Sequence, residues 1–267
     1  MINSNNFKEI TSIFRDISNQ ASKKILEIYN SNFEINFKDD NSPLTTADTE
    51  SNRIICSRLT REFPRIPIIS EENKNKSLDI DTYFLVDPLD GTKEFISRNG
   101  EFTVNIALIL KNQPKLGVIE IPTQNTQYFS DGFSSFKYNE NLEKIFSNSS
   151  ANKIKFLTSR SHLDFITEKI IKSFRSAQLN KVGSSIKFCY LAEGKADIYI
   201  RNGKTMCWDV GAGIAILKTA GCNIKKLDLK EFVLNKENFI NDSFVSFKNT
   251  FSYETLKYIS KQYKLNT

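Results

Sequence analysis

The chain has one histidine, His162, in 267 residues. None of its four cysteines, Cys56, Cys189, Cys207 and Cys222, stands in a C-x-x-C pair. Zinc favours imidazole and thiolate, and a Ser-His-Asp triad needs an imidazole beside its nucleophile, so both chemistries are set aside. Cys189, Cys207 and Cys222 lie in apolar runs and read as reduced core residues. No run reaches the ~18–20 apolar residues of a membrane span. The opening MINSNNFKEI lacks the apolar core of a signal peptide. A soluble, cytoplasmic protein is expected, with peripheral attachment at the inner face of the plasma membrane left open. Lys and Arg exceed Asp and Glu by 37 to 31, but no dense basic block appears. A non-catalytic nucleic-acid-binding protein is therefore the weaker alternative, whereas the net charge of +6 would draw in a small phosphorylated substrate.

What the chain does have is the stretch 83–99, YFLVDPLDGTKEFISRN. Residues 83–86 are an apolar run of strand type. Pro88 cannot donate to a ladder, so the strand stops after Asp87. Residues 89–92 form a tight turn, which sets Asp87 and Asp90 three residues apart at a rigid strand tip. Aspartates and an outward carbonyl are hard oxygen ligands that suit Mg²⁺ or Mn²⁺. D-x-x-D-G-T alone is also an ordinary turn. Two further stretches strengthen the metal reading: Glu71 and Glu72 end an apolar strand, and Trp208-Asp209 opens an apolar helix.

Taken in order, apolar residues at three- and four-residue spacing predict a helix over 5–29. Residues 36–46 read as loop, with a second helix from Asp48 to the residues before Pro64. A strand over 66–70 follows, then polar loop at 73–81. Strands are expected at 103–110 and 116–121 around Asn112-Gln113-Pro114, and at 126–130 and 134–138 around Asp131-Gly132. The polar segment 139–152 reads as exposed and marks a lobe boundary. The second half alternates: strands at 154–158, 178–182, 196–200 and 244–247, helices at 163–174, 186–193, 209–220 and 253–263. The expected class is α/β, with a mostly antiparallel N-terminal sheet in an α+β lobe over 1–150 and a smaller α/β lobe over 151–267.

Glu71, Asp87, Asp90 and Asp209 can converge on two or three divalent cations, because so many carboxylates repel unless neutralised. Such a site suits phosphoryl hydrolysis. Thr92 would orient the attacking water, with Glu71 or Asp48 taking its proton. Asp48 also suits the first turn of its helix, and Asp209 suits an N-cap. Gly183-Ser184-Ser185 ahead of a helix makes an anion site, to which Lys187 adds charge. His162 suits either a base or phosphate contact or an exposed helix start.

At these residues the chain resembles the lithium-sensitive, Mg²⁺-dependent phosphatase superfamily that includes inositol monophosphatase, and within it the bacterial CysQ-type 3′(2′),5′-bisphosphate nucleotidase branch. The matching stretches are DNSPLTTAD (40–48), ISEEN (69–73), 83–109, SRSH (159–162), GSSIKFCYLAEGKADIY (183–199) and WDVGAGIAILKTAGC (208–222). The resemblance implies a layered α/β/α/β/α fold. It implies that Glu71, Asp87, the Leu89 carbonyl, Asp90 and Asp209 hold metal, that Thr92 and Glu71 activate water, and that Asp48 supports a further metal or its water. Asp90, Gly91 and Thr92 would hold the scissile phosphate; Ser159, His162, Ser184 and Lys187 would hold the nucleotide. The implied reaction is hydrolysis of adenosine 3′,5′-bisphosphate to AMP and phosphate in sulfur assimilation, with Mn²⁺ as a possible substitute metal and Li⁺ inhibitory. An inositol monophosphatase is the alternative activity, and monomer and homodimer are both open. RNGKTMC before Trp208, and Val210 after it, depart from the pattern on the leaving-group side.

Overall fold

The computed structural model describes residues 2–38, 41–73, 80–148, 153–161, 163–235 and 237–266. Helix α1 (Phe7–Tyr29) buries Ile10, Phe14, Ile17, Ala21 and Ile25, the stripe its three- and four-residue spacing dictates. A short hairpin follows, β1 (Ile35–Phe37) with β2 (Pro43–Thr45), and leads into α2 (Thr46–Glu62). The expected loop over 36–46 is therefore partly paired; Asp39 and Asp40 lie outside the described residues.

Seven strands form the large sheet in sequence order: β3 (Ile68–Ser70), β4 (Tyr83–Asp90), β5 (Thr103–Leu110), β6 (Gln113–Ile121), β7 (Thr126–Ser130), β8 (Ser135–Asn139) and β9 (Asn141–Ile145). Only β3 and β4 run parallel. The β5–β6 turn sits at Lys111-Asn112, both at positive φ, rather than around Pro114. Pro114 stands inside β6, where it is tolerated because β7 pairs with β6 only from Gly117 onward. Segment 139–152, expected as exposed, contributes β9, whose first four residues are exposed. It is a polar edge strand without apolar alternation, so its sequence carries no strand signal. Residues 149–152 lie outside the described set.

The second half holds β10 (Lys155–Ser159), α4 (Phe165–Lys172), β11 (Gln178–Val182), α5 (Ile186–Ala192), β12 (Ile198–Arg201), β13 (Thr205–Met206), α6 (Cys207–Thr219), β14 (Cys222–Lys226), β15 (Ile240–Asn241), β16 (Phe244–Lys248) and α7 (Tyr253–Lys264). Five of these strands form a mixed sheet in the order β11-β10-β12-β16-β14. Strand β14, which the sequence reading missed, follows directly on the turn at Gly221, whose φ is +79°.

Three cores separate the layers. Phe84, Val86, Val104, Ile106 and Leu108 face α1 and α2. Leu85, Ala107 and Ile109 point the other way, toward α5, α6 and the second sheet. Phe156, Ile198, Val245 and Phe247 meet Ile170, Leu256 and Ile259 of α4 and α7. The order is helices, large sheet, helices, small sheet, helices, the α/β/α/β/α fold expected. Both faces of β4 and β5 are covered, so those strands read as continuous apolar runs rather than alternating ones. Helix α6 sits close: a Cβ on Gly117 would stand 2.4 Å from Ala212 O, and one on Gly213 2.4 Å from Phe188 Cγ. Among the described residues no helix is long and apolar enough to cross a membrane.

Candidate active site

The tip of β4 is bent by its own sequence. The ladder to β5 holds as far as Asp87 opposite Asn105, then shifts register before Asp90 meets Thr103. Pro88 offers no N–H, and a bulge there re-aims the side chains that follow. Leu89 N–H donates to Asp87 Oδ1 at 3.2 Å, and Ser51 Oγ of α2 donates to Pro88 O at 2.7 Å. Gly91 turns the chain at φ +95°, where a Cβ would stand 3.1 Å from Glu101 O. The expected simple turn over 89–92 is corrected here: Thr92 opens a short helix, α3 (Thr92–Ile96).

Asp48 and Asp209 are placed alike, each the third residue of its helix. Asp48 Oδ2 accepts from Thr45 N–H at 2.7 Å and Thr45 Oγ1 at 2.6 Å. Its Oδ1 accepts from Thr92 Oγ1 at 3.0 Å. Asp209 Oδ2 accepts from Met206 N–H at 2.8 Å. Asp209 is thus not the N-cap residue; it reaches back to the N-cap amide, half of a capping box.

Glu71 follows β3, its N–H bonded to Val86 O at 3.1 Å beside Asp87. Burial, then the charges of Glu71, Asp90 and Asp209, push the Asp87 carboxyl well above its ordinary range. Burial does the same to Asp209, helped by Asp90 and Glu71. Asp90 is raised by burial against the opposing pull of Lys187 and Ser185. Asp48 is raised by burial, with its Thr45 and Thr92 hydrogen bonds working the other way. The residues therefore share one electrostatic field, although among the described residues no three of them close into a finished metal shell. Lys38 Nζ, from the β1–β2 hairpin, stands 2.8 Å from Glu71 Oε1 and 2.6 Å from Glu72 Oε1. Burial brings Glu72 up to about 7.

A cavity of about 340 Å³ joins these groups to the second half of the chain. Glu71, Asp90, Gly91, Thr92, Ser159, Ser184, Lys187 and Asp209 line it. Asp87, Leu89 and Asp48 are buried behind that wall. Gly183 N–H donates to Glu101 Oε2 at 2.7 Å, and Arg160 grips Glu101 with two bonds of 2.6 Å. Ser184 stands at φ +43° with its Oγ buried and, among the described residues, unpaired. Lys187 is buried, donates to Val182 O at 3.1 Å and to Ser184 O, and lies over the Tyr199 ring. Burial lowers its pKa to about 8 while Asp90 pulls it back up. His162 lies outside the described residues.

The sequence reading missed Lys38, Glu94, Tyr199 and Arg201. Tyr199 and Arg201 close the cavity from β12, and Glu94 from α3. The one available signal was an arginine directly after the apolar run 198–200. The carboxylates and the Leu89 carbonyl offer only oxygen, and their mutual repulsion leaves a deficit of positive charge. That donor set fits hard divalent cations.

The inositol monophosphatase family model matches residues 6–262. The chain is 37% identical to the 3′(2′),5′-bisphosphate nucleotidase CysQ of Escherichia coli K12 over 238 residues, covering 85% of this chain and 95% of that protein. It is 38% identical to the CysQ of Buchnera aphidicola over 261 residues, covering 90% and 97%. Among solved structures, CysQ from Bacteroides thetaiotaomicron superposes with a TM-score of 0.80 at 36% identity, covering 91% and 98%. A Thermotoga maritima IMPase gives 0.82 at 21% identity, covering 97% and 99%, a likeness of fold.

Proposed function

The chain belongs to the inositol monophosphatase family, and from that premise we propose that it is a metal-dependent 3′(2′),5′-bisphosphate nucleotidase. It converts adenosine 3′,5′-bisphosphate to AMP and phosphate in the recycling step of sulfur assimilation. The observation that carries the reading is the shared cavity, in which the carboxylates and Thr92 face Ser184 and Lys187. Identity of 37–38% over most of the chain to proteins named as this nucleotidase supports it.

Glu71, Asp87, Asp90, Asp209 and the Leu89 carbonyl would hold two or three Mg²⁺ ions, with Mn²⁺ as a substitute and Li⁺ as an inhibitor. Bound there, the cations would supply a lowered water pKa and positive charge for the phosphoryl oxygens. The rest falls to the chain. Thr92 Oγ1, with its proton committed to Asp48, turns its lone pairs outward to receive a hydrogen bond from the attacking water. Asp48 or Glu71 takes that water's proton. The backbone N–H groups at Gly91 and Thr92 orient the scissile phosphate. Ser159, Ser184, Lys187 and Arg201 surround the nucleotide, and we keep His162 among its contacts. Thr205, Met206 and Val210 line the leaving-group side, where the chain departs from the family pattern. Four free cysteines suit the reducing cytoplasm in which we place the enzyme.

The test is phosphate release from adenosine 3′,5′-bisphosphate and from inositol 1-phosphate, side by side, with Mg²⁺ and with added Li⁺. The nucleotide should be strongly preferred and Li⁺ should inhibit. Preference for the inositol ester would overturn the substrate, and metal-independent turnover would overturn the chemistry.

A further inference from the structure

The two oxygens of Asp90 are not equivalent. Oδ2 accepts from Ser185 Oγ at 2.5 Å and, more weakly, from Asn105 Nδ2 at 3.4 Å. Asn105 Nδ2 also donates to Ser185 Oγ at 2.8 Å. The amide therefore fills a lone pair of the hydroxyl and leaves its single proton for Asp90. Asp209 O, at 3.0 Å, is the other acceptor within reach of that proton. Both side chains are shut away from solvent, Asn105 at 1% exposure and Ser185 at 2%. Among the described residues Asn105 Oδ1 is buried without a partner. An amide kept at that cost, in a strand otherwise apolar over 104–110, is unexplained by packing.

The arrangement ties four elements at one hydroxyl: the end of β4, the middle of β5, the residue before α5 and the first turn of α6. Ser185 adjoins Ser184, whose carbonyl holds Lys187 from the same turn. One loop therefore presents Ser184 to the substrate side and Ser185 to Asp90.

We propose that Ser185, oriented by Asn105, is a positioning residue for the divalent cation: it pins Asp90 Oδ2 and so leaves Oδ1 for the cation. The inference rests on Asp90 being a cation ligand.

The test is Mn²⁺ binding to the substrate-free protein, read from the electron-spin signal of free Mn²⁺. The proteins are wild type, D90N, S185A, N105A and S185A/N105A, each checked for fold by circular dichroism. D90N should lose binding. S185A should weaken it roughly 10–100-fold, the usual effect of removing a residue that orients a metal ligand. N105A should act in the same direction, and the double variant should be no worse than S185A. With adenosine 3′,5′-bisphosphate as substrate, kcat of S185A should fall while KM shifts less. D90N binding Mn²⁺ like wild type would overturn the ligand reading itself. D90N weakened with S185A unchanged would overturn only the positioning role, as would a raised KM at unchanged Mn²⁺ affinity. Should S185A fail to fold, N105A carries the same comparison.

Discussion

Thr92 Oγ1 donates to Asp48 Oδ1 at 3.0 Å, joining residues 44 positions apart. The bond is directed, because the other Asp48 oxygen is already taken by Thr45 through its N–H and hydroxyl. Asp48 is thus a helix-capping residue and a partner of Thr92 at once. The two readings that the sequence left open are compatible, since a carboxylate has two oxygens.

Thr92→Ala should therefore lower kcat by about 10²–10⁴-fold, the scale of general-base assistance. Thr92→Ser, which keeps the hydroxyl, should retain most of it. Phosphate release at saturating substrate is the measurement. An unchanged kcat in the alanine variant would remove Thr92 from the mechanism.

The metal-free protein should lose stability as pH rises above the usual carboxylate range. Burial raises the pKa values of Asp87, Asp90 and Asp209, so the folded state holds protons that the unfolded chain has released. Mg²⁺ should replace those protons. At pH 8 a hundredfold excess over Kd should raise Tm by roughly 5–10 °C, from the linkage energy and the size of the chain. At pH 5 the rise should be smaller, and chelation should reverse it. Equal melting curves with and without Mg²⁺ at pH 8 would refute cation binding here.

Glu120 offers a separate pH effect away from the cavity. It is buried between α1 and β7, accepting from Ser18 Oγ at 3.4 Å, and burial brings it up to about 7. A raised carboxyl contributes fully below its unfolded value near 4.5 and loses that contribution as pH rises through 7. Glu120→Gln should remove the slope and be the more stable protein at pH 8, by up to about 3 kcal/mol. Urea unfolding at pH 5 and pH 8 decides it. The same stability difference at both values would show that Glu120 does not titrate in this window.

Gly183→Ala should damage turnover with little loss of fold. The new Cβ would stand 2.8 Å from Glu94 Cγ and 2.9 Å from both Glu101 Cβ and Glu101 O. The loop that carries Ser184 must move to relieve this. A displacement near 1 Å costs on the order of 10²-fold in kcat/KM. Wild-type kinetics in this variant would mean that the loop does not position substrate.

Much of the architecture was legible. Helix α1 showed its buried stripe, and β4, β5 and β6 showed apolar runs between breakers. Asp87 and Asp90 were marked by the proline and glycine that shape their turn. Strand β9 was hidden because an exposed polar edge needs no apolar pattern. Helix α3 was hidden because five residues are too few to show a period. Arg201 and Lys38 were hidden because a charged residue gives no sign of which way its loop or strand will point.

By itself the sequence determined the α/β class, which rests on local patterning, and pointed to oxygen-rich ligand chemistry by residue type; the layered fold and the family came through the resemblance carried by its motifs. Only the tertiary structure decided that Asp48 serves Thr92, that Ser185 and Asn105 fasten Asp90, and that Tyr199 and Arg201 complete the cavity. Hydrogen bonds between elements depend on ångström distances and on which oxygen faces which donor. Those are fixed by the packing of two sheets around α5 and α6, and no spacing along the chain records them.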